Sequence, residues 1–188
     1  NNVTVSHYRL STHLVLAFII VSSLFWIFLN FNNNTEKKFF SVKKNFFSTI
    51  LILLIFVQII FGAFVSGLDA GKIYQTWPLM NYNYFPDDYQ IKNFFDILNF
   101  DNRSWVQFIH RNVAYVIMAY CLLIFIYLLI YNLDEIKYFY LVLFTLLIQI
   151  FLGILTLITG LNIYLAGAHQ ISSLILLFSI IYFHYRIS

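Results

Sequence analysis

Charge is scarce in this chain. Of its 188 residues only 10% are charged, and 61% are hydrophobic. A soluble domain is about 25% charged and about 45–50% apolar. The deficit therefore excludes a water-soluble globule, a disordered chain and a nucleic-acid binder of the usual basic kind. The net charge of +3 is small, so the placement of charges matters more than their sum. Cysteine is nearly missing as well. Cys121 stands alone, which excludes an internal disulfide, a CxxC redox pair and a cysteine zinc site. Inside an apolar run it reads as an inert buried thiol. There is no P-loop, nucleophile triad or HExxH zinc motif. Residue 1 is Asn and the first apolar run begins almost at once, so the sequence reads as a piece of a longer or processed protein.

What the chain has is long apolar runs. A membrane helix needs roughly 20 mainly apolar residues. Five stretches qualify: Leu10–Phe31, Phe46–Gly67, Trp105–Tyr131, Tyr138–Gly160 and Tyr164–Tyr185. The expected fold is an all-α integral membrane protein. The first run is too long for a signal peptide, has no small-residue cleavage site, and is followed by further spans. Loop charges orient the spans. Lys37, Lys38, Lys43 and Lys44 outnumber Glu36 after the first span; Lys137 follows the third, and Arg186 the fifth. After the second span Asp69, Asp87, Asp88, Asp96 and Asp101 outnumber Lys72, Lys92 and Arg103. The positive-inside rule then places the C-terminus in the cytoplasm or matrix, with the N-terminus and the long loop outside.

The outer loop, residues 68–104, is too long for a mere turn. Within it Ile91, Phe94, Phe95 and Leu98 follow helical spacing, with Lys92, Asn93, Asp96 and Asn99 between them. That pattern fits a short amphipathic helix on the membrane surface, either an interfacial cap or a lid over a site.

The chain also repeats itself. Gln58-x-x-x-Gly62 in the second span matches Gln149-x-x-x-Gly153 in the fourth, and each is followed by a span with a histidine near its outer end, His110 and His169. The first span has its own, His13. Polar groups inside a membrane are paired or functional, and a single histidine can simply bond across helices. Three at matched depth are harder to dismiss. Histidines on neighbouring helices can supply both axial ligands of a haem iron.

A macrocycle needs room. Gly62, Ala63, Ser66, Ala114, Gly153, Thr156, Gly167, Ala168, Ser172 and Ser173 offer low surfaces, which serve either a ring or close helix packing. Its propionates need cations. Arg111 and Arg103 can pair with them, and Arg9 can serve a second ring near His13; the alternative for each is snorkelling to the headgroups. His7 and His184 fall outside the pattern and read as interfacial.

These residues resemble a known family. GAFVSGLDAGKIYQTWPLM (Gly62–Met80) looks like the signature of haem A synthases, and VQFIHR (Val106–Arg111), QIFLGILTLITG (Gln149–Gly160) and AHQ (Ala168–Gln170) look like its later motifs, in order. YRLSTHL (Tyr8–Leu14) is similar to the family's fourth span. The resemblance implies about eight membrane helices in two four-helix halves. Residues 1–45 would be the last helix of the first half and a cytoplasmic linker. Residues 46–188 would be the complete second half, a four-helix haem-binding bundle.

The family oxidises the C8 methyl of haem O to the formyl group of haem A, for terminal oxidase assembly. By resemblance, His110 and His169 would hold a haem b, and His13 would be one of two histidines at the substrate haem. The other, and the catalytic glutamate beside it, have no counterpart here. This piece is therefore expected to bind one bis-histidine haem without turning over haem O alone. The resemblance also implies the bilayer as environment, in a bacterial or mitochondrial inner membrane, with haem O synthase and a second copy as candidate partners. Two other classes stay open on the residues alone: a b-type electron-transfer cytochrome, and a haem-free transporter or assembly factor.

Overall fold

The computed structural model describes residues 6–39 and 45–188. Lys43 and Lys44 of the first linker lie outside the described residues. Five helices are long and apolar enough to cross a membrane. They are α1 (His7–Asn32), α2 (Phe46–Gly67), α4 (Arg103–Ile130), α5 (Ile136–Ile158) and α6 (Ile163–Ile187). The loop between α2 and α4 adds a 3-10 turn at Ala70–Lys72 and a single helical turn, α3 (Phe94–Ile97). No strand occurs among the described residues, which hold only an isolated bridge between Met80 and Asn83.

The expected spans form, each shifted by at most a few residues. Local capping sets several boundaries. Asn102 accepts from the Trp105 amide and starts α4; Asn162 accepts from the Tyr164 and Leu165 amides and starts α6. The surface helix is shorter than its periodicity predicts. Only four residues are helical, closed by a capping box between Asn93 and Asp96. Neighbouring structure supplies the reason. Tyr89 Oη donates to the Asp96 carbonyl and Trp105 Nε1 to the Ile97 carbonyl, which ends the turn there. Phe94 and Phe95 remain exposed, as an interfacial segment requires.

The helices α2, α4, α5 and α6 pack in a ring, α2 on α4, α4 on α5, α5 on α6 and α6 on α2. α4 and α6 are thus diagonal partners. α1 lies outside this ring, against α2 and α6. The bundle is not equally tight along its length. Far from the long loop, Leu51, Ile55, Ile117, Cys121, Ile124, Val142, Leu146, Leu177 and Ile180 form a closed aliphatic core. Near the long loop no residue of 108–116 or 147–171 is buried.

His184 departs from its expected interfacial place. It is fully buried; Ser48 Oγ lies 2.7 Å from Nδ1 and the Phe39 carbonyl 2.8 Å from Nε2. It ties the α1–α2 linker to the end of α6, and Lys37 Nζ reinforces this by donating to the Tyr185 carbonyl at 2.8 Å. His7 is also buried. It packs edge-on to Phe64 and sits 3.3 Å from Asp101.

Candidate haem site

His110 is seven residues into α4 and His169 six into α6, so their depths differ by about one helical rise, ~1.5 Å. The repeat partners match even more closely. Gln58 lies nine residues before the last residue of α2, and Gln149 nine before that of α5. The two units therefore meet at one level, on opposite corners of the ring.

Of the two tasks open to the glycines, their contacts are those of close packing. Gly62 and Gly153 face the imidazoles themselves rather than an open ring-sized surface. A Cβ on Gly153 would lie 2.9 Å from His169 Cε1, and one on Gly62 would lie 3.2 Å from His110 Cε1. Each glycine is a notch that lets the Cε1 edge of an imidazole approach the neighbouring helix closely. The glutamines one turn away complete the cradle. Gln149 Nε2 is 3.4 Å from His169 Nε2, and Gln58 Nε2 is 3.4 Å from His110 Nε2. Gln58 Nε2 also donates to the His110 carbonyl at 3.1 Å.

The His169 ring is fully specified. Its Nδ1 lies 3.1 Å from the Gln149 carbonyl. A carbonyl only accepts, so Nδ1 carries the proton and Nε2 keeps its lone pair. That is the tautomer an Nε2 metal ligand requires. The Gln149 side-chain oxygen accepts in turn from Ser172 Oγ. At the other unit His110 Nδ1, Gln58 Oε1 and Arg111 Nε are buried without a hydrogen-bond partner. Buried polar atoms are rarely left so.

Arg111 has an occupied fork. Nη2 donates to the Tyr74 carbonyl at 2.9 Å and Nη1 to that of Leu79 at 3.3 Å. Gln107 Nε2 donates to the same Tyr74 carbonyl at 2.8 Å. Two side chains of α4 thereby fasten the stretch Ala70–Met80 over the site. That stretch also reaches the other pair of helices, since Gly71 packs beneath Leu161 between α5 and α6. Farther along the loop, Asp88 accepts from Tyr74 Oη at 2.7 Å and from Ser104 Oγ at 2.6 Å. Burial alone opposes the Asp88 charge, but the two hydroxyls outweigh it and hold its pKa below the usual carboxylate value. Burial, then the bond to Asp88, pushes the Tyr74 phenol up.

His13, Arg9 and Arg103 are not drawn into this arrangement. All three are exposed, with no hydrogen bond or ion pair among the described residues. His13 and Arg9 lie on α1, outside the ring. The sequence marked Gln58 and Gln149 only as repeat members and Ser172 only as a small residue. Their common depth opposite a histidine was the signal that they act as its partners.

The chain matches the COX15-CtaA cytochrome oxidase assembly protein family over residues 1–181. It belongs to that family. It is 41% identical over 180 residues to the heme A synthase of Pelagibacter ubique (strain HTCC1062), covering 95% of this chain and 52% of that protein. The heme A synthase of Wolbachia pipientis wMel is 40% identical over 181 residues, 95% of this chain and 50% of the relative. That of Rickettsia rickettsii (strain Sheila Smith) is 36% identical over 195 residues, 100% of this chain and 56% of the relative. The chain thus spans about half the length of the curated relatives it matches.

Proposed function

We propose that this chain is the C-terminal part of a haem A synthase, and that His110 and His169 hold a haem b between α4 and α6. The observation that carries this is the pair of Gln-x-x-x-Gly cradles, which present two imidazoles at one depth on diagonal helices. Three features fit the group. The two histidines and their glutamines are only partly buried, although Ile59, Ala63 and Ser172 beside them are closed in. The His169 tautomer leaves Nε2 free. Unpartnered buried atoms surround His110. Among the described residues no three His, Cys, Asp or Glu side chains gather. The donor set therefore suits two axial positions of a planar ring rather than a tetrahedral ion.

A bis-histidine iron supplies one-electron redox chemistry without an open coordination position. Oxidation of the haem O methyl group therefore belongs to a second site, to which α1 contributes His13, with Arg9 beside it. The exposure of both side chains fits a wall whose partners lie elsewhere in a longer chain. In the ring itself, the protein's residues orient the two imidazoles and keep the loop closed over them. Arg103, exposed at the start of α4, is the cation free to meet a propionate. Arg111 offers only Nε, because its fork holds the loop. The loop charges favour a C-terminus in the cytoplasm or matrix. Haem O would be the substrate of the whole protein, haem O synthase its supplier, and a second copy a possible neighbour.

Purified chain reconstituted with haem should show a six-coordinate low-spin reduced-minus-oxidised spectrum. His110→Ala and His169→Ala should each abolish it. An unchanged spectrum in both variants overturns the assignment. Appearance of haem A with the longer protein separates a synthase from a b-type electron-transfer cytochrome.

A further inference from the structure

The two cradles differ at one corresponding position. Three residues after His169 stands Ser172, whose hydroxyl donates to Gln149 Oε1. Three residues after His110 stands Val113, which has no donor, and Gln58 Oε1 is left buried and unpartnered. The consequences reach the rings. A side-chain amide with its oxygen fixed cannot turn over, so Gln149 Nε2 always faces His169 Nε2. The backbone carbonyl of Gln149 meanwhile holds His169 Nδ1 at 3.1 Å. His110 has no such acceptor, and its Nδ1 is unpartnered.

We infer that Ser172 and Gln149 are positioning residues that preset the plane and tautomer of the His169 ligand, while the His110 ring is held less fully, because its Nδ1 has no acceptor and Val113 offers Gln58 Oε1 no donor, so that Gln58 is fixed only through Nε2 at the His110 carbonyl. This rests on the haem reading above. The protein then has one rigid and one compliant axial ligand. The more fully held imidazole would set the position of a bound haem, and the other would adjust to it; Gln58 Oε1 and His110 Nδ1 are the groups left to gain partners. Gln149 and Gln58 must both give up their contact with Nε2 once iron occupies it. Ser172 would then retain Gln149 through its side-chain oxygen, whereas Gln58 would keep only its bond to the His110 carbonyl.

The test exchanges the two residues. Ser172→Val, Val113→Ser, the double exchange and the conservative Ser172→Thr are made in the whole chain and reconstituted with haem b. The low-spin electron paramagnetic resonance signal reports the angle between the ligand planes, and a redox titration gives the midpoint potential. Ser172→Val should broaden the signal, change the potential and speed haem loss by about tenfold, the scale for removing an outer-shell partner. Ser172→Thr should keep all three at the parent values. Val113→Ser should sharpen the signal. If Ser172→Val does not accumulate, Ser172→Ala and Val113→Ser carry the same comparison. A low-spin signal of unchanged shape and potential across the series overturns this inference while leaving the bis-histidine site intact. A parent chain with no low-spin signal overturns the site and this inference together.

Discussion

On α5 and α6 the imidazole of His169 has a carbonyl at Nδ1, a fixed amide at Nε2 and a glycine against its Cε1 edge. On α2 and α4 the imidazole of His110 has the amide and the glycine but no partner at Nδ1, while the residue after it, Arg111, reaches up to the loop. The spacing Gln-x-x-x-Gly is the same in both. One unit has been completed as a holder for a ring, and the other carries the cover as well. A repeat fixes geometry at the level of helix register. What each copy does beyond that depends on single neighbours such as Ser172, Val113 and Arg111.

The notches should show this difference most strongly. Gly153→Ala places a methyl group 2.9 Å from His169, against 3.2 Å from His110 for Gly62→Ala. Overpacking of this kind costs about 1–3 kcal/mol. Gly153→Ala should therefore weaken haem binding about tenfold or more, and Gly62→Ala by less, because the His110 ring has room to give. Equal losses in a haem titration would dissolve the distinction between a rigid and a compliant unit.

A second, smaller effect concerns the cover. Arg111→Ala removes two charge-assisted bonds to carbonyls, each worth about 1.5–3 kcal/mol. Amides of Ala70–Met80 should exchange hydrogen faster by at least about tenfold, while amides of α5 and α6 change little. Arg111→Lys should not restore protection, since one ammonium does not reproduce a planar fork over two carbonyls. Equal loosening of both helix pairs would show that the loop is not specific to one unit.

The smallest effect depends on pH. Because the folded Asp88 carboxyl sits below its unfolded value of about 3.9, its contribution is complete above that value. It is lost as pH falls through the lowered folded value. Loop protection should thus decline on acidification below about pH 4, and Asp88→Asn should remove that pH dependence. A loop equally protected at low pH would mean that Arg111 and Gln107 suffice to hold it.

Much of this was legible in the residues. Apolar runs of membrane length gave five helices with nearly correct ends, because in a bilayer every backbone group must be satisfied within the helix. The Gln/Gly/His repeat marked the right level of the bundle. The amphipathic stretch at Ile91–Leu98 was read as longer than it is. Periodicity says which residues share a face, whereas bonds from Tyr89 and Trp105 decided where the turn stops. Gly62 and Gly153 were left between room for a macrocycle and close helix packing, and His184 was read as interfacial. Both questions turn on which neighbouring helix each residue meets.

Hydropathy and register by themselves determined that this is a bundle of membrane-length helices with two histidines at one depth. They are properties of the single helix, set by composition and by a fixed rise per residue. The tertiary structure alone decided that these helices are diagonal, that glycines cradle the imidazoles, that Ser172 completes one cradle and that Arg111 holds the cover. Those facts depend on which side chains from distant parts of the chain come within hydrogen-bonding reach, and no local pattern contains that information.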